Sequence, residues 1–259
     1  MTLITDPSAF NTLLAVMAVL SVFVFAALYL VDAGYGKFYN PKWGPTLDNH
    51  RGWFLMEIPV FAGMLVLWWF SERRTDPVRL VFLALFELHY FHRSFIFPQR
   101  LRGHSRMPWS IVAMGALFNT LNALIQGGWI FYVSPADRYP VSWLRSVPFL
   151  AGTALFLAGM YINIESDNII RNLRKPGDTA HYLPRGGMFR YVTSANYFGE
   201  WLEWVGFAVL TWSRAGAVFA LWTFANLGPR AARIHGLYRR EFPGELDSRK
   251  VKRILPFIY

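Results

Sequence analysis

Long apolar segments limit what this chain can fold into. About 20 consecutive apolar residues suffice to cross a bilayer. Only 16% of the 259 residues are charged, whereas a soluble domain carries about 25%. We therefore expect an all-α membrane protein with seven transmembrane helices in a single domain, residues 1–259. The apolar segments are 10–33, 54–71, 77–97, 109–132, 146–170, 200–213 and 215–228.

The last two segments are short, and the run Ser213-Arg214-Ala215-Gly216 separates them. Either a tight helical hairpin or one long bent helix fits this pattern.

The distribution of basic residues predicts the orientation. With the N-terminus outside, the inner segments 34–53, 98–108, 171–199 and 229–259 carry 19 lysines and arginines, and the outer ones carry five. Positive charge collects on the cytosolic side of membrane proteins. We therefore expect the N-terminus outside and the C-terminus in the cytosol. The net charge of +10 is then explained by the lipid bilayer as partner, not by nucleic acid. The absence of cysteine excludes disulfides and thiolate chemistry.

Polar residues from five elements of this topology fall at one depth near the inner face. A charge at the middle of a membrane costs about 2.5–3.5 kcal/mol on insertion scales. Such groups are therefore expected to face a shared cavity. They are Glu57, His89, Tyr90, His92, Arg93, Asn163, Asp167, Arg171, Asn196, Glu200 and Arg230.

Residues 163–204 read as one wall of that cavity. Asn163, Asp167 and Arg171 recur every four residues and share one helix face. Nearby basic residues suit phosphate oxygens, although positive-inside charge alone also explains most of them. The chain has neither a G-x-G-x-x-G nor a Walker A motif. The basic group is Arg171, Arg174, Lys175, Arg230 and Arg233.

Glu57 and Tyr90 come from neighbouring segments at similar depth. A protonated carboxyl group beside a phenol offers two donors to one carbonyl oxygen, as in an oxyanion hole. The alternatives are a structural ion pair of Glu57 with Arg93 and an interfacial anchoring role for Tyr90.

Amide side chains line one face of the fourth segment. Asn119, Asn122 and Gln126 either hydrogen bond between helices or line a cofactor cavity. His89 and His92 are three residues apart, but no third ligand recurs at matching spacing, and we predict no metal site.

Eight runs along the chain form a recognisable set of motifs. They are Trp53-Phe-Leu-Met-Glu57-Ile-Pro59, His89-Tyr-Phe-His-Arg93, Asn163-Ile-Glu-Ser-Asp167, Leu173-Arg-Lys-Pro-Gly177, Pro184-Arg-Gly-Gly-Met-Phe189, Ser194-Ala-Asn196-Tyr-Phe-Gly-Glu200, Ser248-Arg-Lys and Ile254-Leu-Pro-Phe-Ile-Tyr259. These motifs resemble the steroid 5α-reductase family, most densely between residues 161 and 204. The resemblance covers nearly the whole chain from about residue 50.

The resemblance implies a membrane oxidoreductase that uses NADPH to reduce the Δ4 double bond of a 3-oxo steroid to the 5α-dihydrosteroid. Glu57 and Tyr90 would bind the substrate carbonyl. The C-terminal half, about 110–259, would bind the cofactor. Six cofactor contacts are implied by the resemblance. We add Arg171, from the four-residue spacing of polar residues, and Asn122, from the amide face of the fourth segment. Those family positions are Asn163, Asp167, Arg174, Asn196, Arg230 and Tyr238.

We further expect a monomeric bacterial relative in the inner membrane, with its cofactor site facing the cytoplasm and a steroid or steroid-like lipid as substrate. Three positions depart from the family pattern. Met56 stands where animal members usually have Gln, His181-Tyr182 replaces Tyr followed by a basic residue, and the run from Arg230 to His235 is poorer in histidine.

Other functions share parts of this pattern. Reductases of enoyl-CoA, of polyprenols or of other lipid enones share the cofactor half. An isoprenylcysteine-type membrane methyltransferase has a similarly polar C-terminal half. A transporter or lipid receptor with a polar midplane site is the alternative outside enzymes.

Overall fold

The computed structural model describes residues 2–31, 34, 36–102, 105–173 and 180–259, and 78% of it is helical. The predicted all-helical class is confirmed. The helices are α1 Thr2–Thr5, α2 Pro7–Leu30, α3 Asn49–Trp69, α4 Pro77–Phe91, α5 Phe97–Arg100, α6 Trp109–Gly128, α7 Val147–Asn172, α8 Ala195–Thr211, α9 Arg214–Glu241 and α10 Pro243–Arg249.

Two compact units make up the chain. Unit 1 comprises residues 1–17, 32–150 and 213–215, and unit 2 comprises residues 18–31, 151–212 and 216–259.

Within the described part of the chain, five helical stretches are long and apolar enough to cross a membrane. They contain most of each of the first five predicted segments. The sixth predicted segment lies largely in α8 and the seventh in α9, so a count of seven spans stays a prediction. The five stretches are Pro7–Leu30, Asn49–Trp69, Pro77–Arg100, Trp109–Val133 and Val147–Asn172.

In unit 1, a short antiparallel pair sets the starts of α3 and α6. Strand β1, Thr46–Asp48, pairs with β2, Arg106–Pro108. The Asp48 carboxylate then accepts hydrogen bonds from the backbone nitrogens of His50 and Arg51 at 3.0 and 3.3 Å. This N-cap satisfies donors that a helix start leaves open. It explains why α3 begins five residues before the predicted apolar segment.

Helix α4 has a similar start and an unusual end. Asp76 caps it through the backbone nitrogens of Val78 and Arg79, with Pro77 in the first turn. After Phe91 the helix continues as a π-helical turn, His92–Ile96, before α5. Such turns are rare and often occur at functional sites.

In unit 2, α7 and α8 pack backbone against backbone. A methyl group added at Gly159 would lie 2.6 Å from the Gly199 carbonyl oxygen, and one added at Gly152 would lie 2.7 Å from that of Gly206. Each helix thus carries two glycines seven residues apart, and the two pairs face each other in antiparallel order. We call these four residues the glycine seam.

Helices α8 and α9 form a hairpin rather than one bent helix. Trp212 ends α8 in the left-handed conformation, with φ of 45°. The ring centres of Trp204 and Phe219 are 4.6 Å apart, and those of Trp201 and Phe224 are 5.6 Å apart. The two helices therefore run antiparallel.

The C-terminal residues fold back on the segment before α8. The backbone nitrogen of Thr193 donates to the Lys252 carbonyl oxygen at 2.9 Å, and the backbone nitrogen of Lys252 donates to the Tyr191 carbonyl oxygen at 2.8 Å. This pairing fixes the entry to α8.

Candidate functional site

Glu57 is buried in α3 of unit 1. The Asn119 amide, from α6, donates to Glu57 Oε2 at 3.0 Å and to the Met56 carbonyl at 2.8 Å. Arg93 Nε lies 3.7 Å from Glu57 Oε1. The carboxyl group is therefore fixed by two other elements.

Arg93 itself is held by aromatic rings. Its guanidinium carbon lies 4.5 Å from the ring centres of both Trp53 and Phe97. The ion pair that we considered as an alternative role for Glu57 is thus present. Its 3.7 Å contact is longer than a hydrogen bond, so this is a charge contact.

Tyr90 is the second residue of the predicted carbonyl-binding pair. It is buried in α4, and the Asn122 amide donates to its phenolic oxygen at 2.7 Å. Asn119 and Asn122 are three residues apart and lie on one face of α6. One helix therefore holds Glu57 and Tyr90 through two neighbouring amides.

These contacts confirm the interhelical hydrogen bonds considered for the amide face of α6. The contact of Asn122 with a cofactor stays a prediction. His89 is also buried here, and its ring meets that of Tyr90 at 4.8 Å. Among the described residues, no group of three His, Asp or Glu side chains could hold a metal ion.

In unit 2, three predicted cofactor residues form one hydrogen-bonded network. The Asn163 amide donates to the Asn196 carbonyl at 2.9 Å, and the Asn196 amide donates to Asp167 Oδ1 at 2.9 Å. The glycine seam brings α7 and α8 close enough for these short side chains to meet. The polar face of α7 that the sequence predicts therefore meets Asn196 at the start of α8.

The remaining cofactor candidates have different surroundings. Arg230 Nε, from α9, donates to the Tyr197 hydroxyl at 2.7 Å. Tyr238 is buried in an apolar cluster with Leu183 and Leu246. Arg171 is half-buried in the last turn of α7, and Arg174 lies outside the described residues.

Two buried hydroxyl groups beside the network suit a polar ligand. The Oγ atoms of Ser166 and Ser194 are buried and have no hydrogen-bond partner among the described residues. Each lies within three residues of a network member in sequence. Buried polar atoms normally find partners, so a bound group with hydrogen-bonding atoms fits here.

The loop that leads into α8 is tied down by ion pairs. His181 Nδ1 lies 2.7 Å from Glu241 Oε1, and Arg185 lies 2.8 Å from Glu245 Oε1. These contacts join the loop to the end of α9 and to α10.

Sequence reasoning missed Glu87 and the glycine seam. Glu87 stands inside an apolar run three residues before Tyr90, and a carboxyl group in such a run was a sufficient signal. The seam shows in the sequence as two glycine pairs with the same seven-residue spacing.

Comparison with known proteins gives a consistent result. The family profile described as 3-oxo-5-alpha-steroid 4-dehydrogenase matches residues 105–259. The chain is 40% identical to human 3-oxo-5-alpha-steroid 4-dehydrogenase 1, over 91% of this chain and 90% of that protein. It is 35% identical to steroid 5-alpha-reductase DET2 of Gossypium hirsutum, over 98% and 99% of the two chains.

Proposed function

The chain belongs to the steroid 5-alpha-reductase family, and from this we propose that it reduces the Δ4 double bond of 3-oxo steroids with NADPH. The relatives are named as 3-oxo-5-alpha-steroid 4-dehydrogenases and steroid 5-alpha-reductases, and a 3-oxo-5-alpha-steroid 4-dehydrogenase is an oxidoreductase that acts on a CH–CH bond. The observation that carries the proposal is the pair Glu57 and Tyr90, each held by an amide on one face of α6. The expected product is the 5α-dihydrosteroid.

In this proposal Tyr90 donates its hydroxyl hydrogen to the substrate 3-carbonyl oxygen. When a hydride adds at the β-carbon, the enone becomes an enolate and that oxygen carries its negative charge. Because Asn122 donates to the phenolic oxygen, the hydroxyl hydrogen points away from the amide. A donor fixed in this way stabilises the developing charge without reorganising during the reaction. Uptake of a proton at the α-carbon completes the reduction.

Glu57 supplies the second donor in its protonated form. Asn119 occupies Oε2, so we assign the proton to Oε1. Comparison of an amide and an apolar substitution at this position tests the assignment.

NADPH would supply the hydride when bound. Asn163, Asp167 and Asn196 are the proposed hydrogen-bonding residues, and the orphaned hydroxyls of Ser166 and Ser194 support a polar ligand beside them. The proposed contacts to phosphate and ribose groups come from four further side chains, with Asn122 as the proposed contact from α6. The four are Arg171, Arg174, Arg230 and Tyr238.

The proposal includes a monomeric, single-domain enzyme with seven spans in the bacterial inner membrane, its N-terminus outside and its cofactor site facing the cytoplasm. The excess of basic residues in the expected inner segments supports this orientation. The chain has no cysteine, so single cysteines introduced at Glu72 and Lys250 report sidedness. An impermeant maleimide should label position 72 from outside, and labelling at position 250 instead would contradict the orientation.

The function is tested by NADPH consumption in purified protein. We expect oxidation that depends on progesterone or testosterone. Turnover of an enoyl-CoA or a polyprenol-derived enone without turnover of any 3-oxo-Δ4 steroid would contradict the proposal and favour the related reductases.

A further inference from the structure

Glu87 is a half-buried residue of α4 in unit 1, and its carboxyl group is enclosed by the protein. Both of its oxygens are buried, and neither has a hydrogen-bond partner among the described residues. It lies in α4, one turn before Tyr90. Burying a carboxyl group without a hydrogen bond in an apolar environment lowers the stability of the fold. A ligand that forms the missing hydrogen bonds would offset this cost.

Two amide oxygens on α6 have the same property. Asn122 Oδ1 and Gln126 Oε1 are buried and have no partner within the described chain. The residues are 0% and 1% exposed, and their four-residue spacing places them on one face of α6. Unit 1 therefore holds three side chains whose acceptor oxygens are unused.

The packing of α4 brings Glu87 to the level of Gln126. Tyr90 accepts a hydrogen bond from Asn122, and Arg79 Nε donates to the Ile130 carbonyl at 2.8 Å. These two links show that α4 runs antiparallel to α6 and to the π-helical turn after it. One turn along α4 from Tyr90 towards Arg79 reaches Glu87. One turn along α6 from Asn122 towards Ile130 reaches Gln126, so these two residues lie at a similar level.

The direction of the Glu87 side chain follows from the same helix. Tyr90 faces α6, whereas Phe91 faces α3, where its ring meets that of Phe61 at 6.4 Å. Glu87 precedes these residues by three and four positions, so it lies one turn from both and points between their directions. Its side chain therefore points into the angle between α3 and α6, one turn from Tyr90.

We propose that Glu87 and Gln126 form a second polar anchor, which binds a hydroxyl group on the substrate at a distance from the enone carbonyl. A hydroxyl group both donates and accepts a hydrogen bond, and an ordered water molecule beside it reaches the oxygens that it does not contact directly. This inference rests on the proposed function. It deepens that function by naming the substrate class, hydroxylated lipid enones, that the site selects.

The anchor makes a specific prediction about substrate preference. A site built to hydrogen bond a hydroxyl group discriminates against the analogue that lacks it, because buried polar groups are then left unpaired. We expect at least one monohydroxylated progesterone to show a kcat/KM about tenfold above that of progesterone, with the difference mainly in KM.

The test compares wild type, Glu87→Leu, Glu87→Gln and Gln126→Leu, with Leu88→Ala as the matched control. Leu88 is in the same turn and 45% exposed. Kinetics with progesterone and a panel of monohydroxyprogesterones should show the preference reduced about tenfold in both leucine variants. Glu87→Gln should keep part of it, and Leu88→Ala should keep it fully.

Ligand-free stability separates an anchor from a structural role. Because Glu87 has no hydrogen-bond partner to lose within the described chain, Glu87→Leu should raise Tm by about 2–4 °C. A fall in Tm together with an unchanged preference would overturn the inference, as would equal kcat/KM values across the panel in wild type.

Ligand binding measured by thermal shift distinguishes failure of the anchor from failure of the proposed function. If no steroid is reduced, the proposed function fails. A larger thermal shift of wild type with a hydroxylated steroid than with progesterone, lost in Glu87→Leu, would still support the anchor. Equal shifts would overturn it.

Discussion

The side-chain amide of Asn122 donates a 2.7 Å hydrogen bond to the phenolic oxygen of Tyr90. The same face of α6 holds Glu57 through Asn119 at 3.0 Å. Side chains from three helices therefore meet around two amides. This arrangement fixes the direction in which the phenol can donate, which is the property required of a carbonyl-polarising group.

Loss of the Tyr90 hydroxyl should slow the chemical step. We expect Tyr90→Phe to lower kcat about 100-fold, the typical effect of removing one oxyanion donor. The affinity for NADPH, measured by fluorescence titration, should stay within about twofold, since the proposed cofactor contacts lie mainly in unit 2. A large loss of NADPH binding would show that Tyr90 has a different role.

Substitutions of Glu57 should reveal which protonation state acts. If the carboxyl group donates a proton to the substrate oxygen, an amide replaces part of its function. Glu57→Gln should then lower kcat by about tenfold and Glu57→Leu by about 100-fold or more. Single-turnover rates at saturating NADPH measure both. Equal damage in the two variants would indicate that Glu57 acts as an anion paired with Arg93.

The Asn196 amide should matter for the cofactor rather than for the steroid. Asn196→Ala removes the link to Asp167 and a proposed NADPH contact. We expect the NADPH Kd to rise about 10- to 100-fold. Thr223→Val is the control, because that hydroxyl donates within its own helix, to Phe219 at 2.9 Å. A similar rise in the control would point to general loss of structure.

The glycine seam should tolerate no side chain. In Gly159→Ala the new methyl group would meet the Gly199 carbonyl, so α7 and α8 must separate. We expect a loss of about 3 kcal/mol, at the upper end of overpacking costs, seen as a lower Tm in detergent. Gly236→Ala, which meets nothing within 4 Å in α9, should raise stability by about 0.5–1 kcal/mol. A neutral Gly159→Ala would contradict the close packing.

The sequence was sufficient for the features that depend on local pattern. Apolar runs located the helices, and the four-residue spacing of Asn163 and Asp167 identified the face that meets Asn196. The break near Ser213 marked the hairpin of α8 and α9, although it did not distinguish a hairpin from a bend.

Features that depend on contacts between distant segments did not follow from the pattern. The pairing of β1 with β2 involves strands of three residues, too short for a periodic signal. The π-helical turn at His92–Ile96 has the same composition as a regular helix. The partner of Tyr90 did not follow from the sequence either, because Asn122 reaches it only through the antiparallel arrangement of α4 and α6.

The most direct test of the account follows the hydride. NADPH deuterated at the transferred position of C4 is incubated with progesterone and the purified protein, and the product is analysed by mass spectrometry and NMR. We predict one deuterium at C5 of the 5α-dihydrosteroid, with the 3-carbonyl intact and the transfer slowed in Tyr90→Phe. Deuterium at C3, or NADPH oxidation without a labelled steroid, would contradict the assignment of Glu57 and Tyr90 as the groups that polarise the 3-carbonyl.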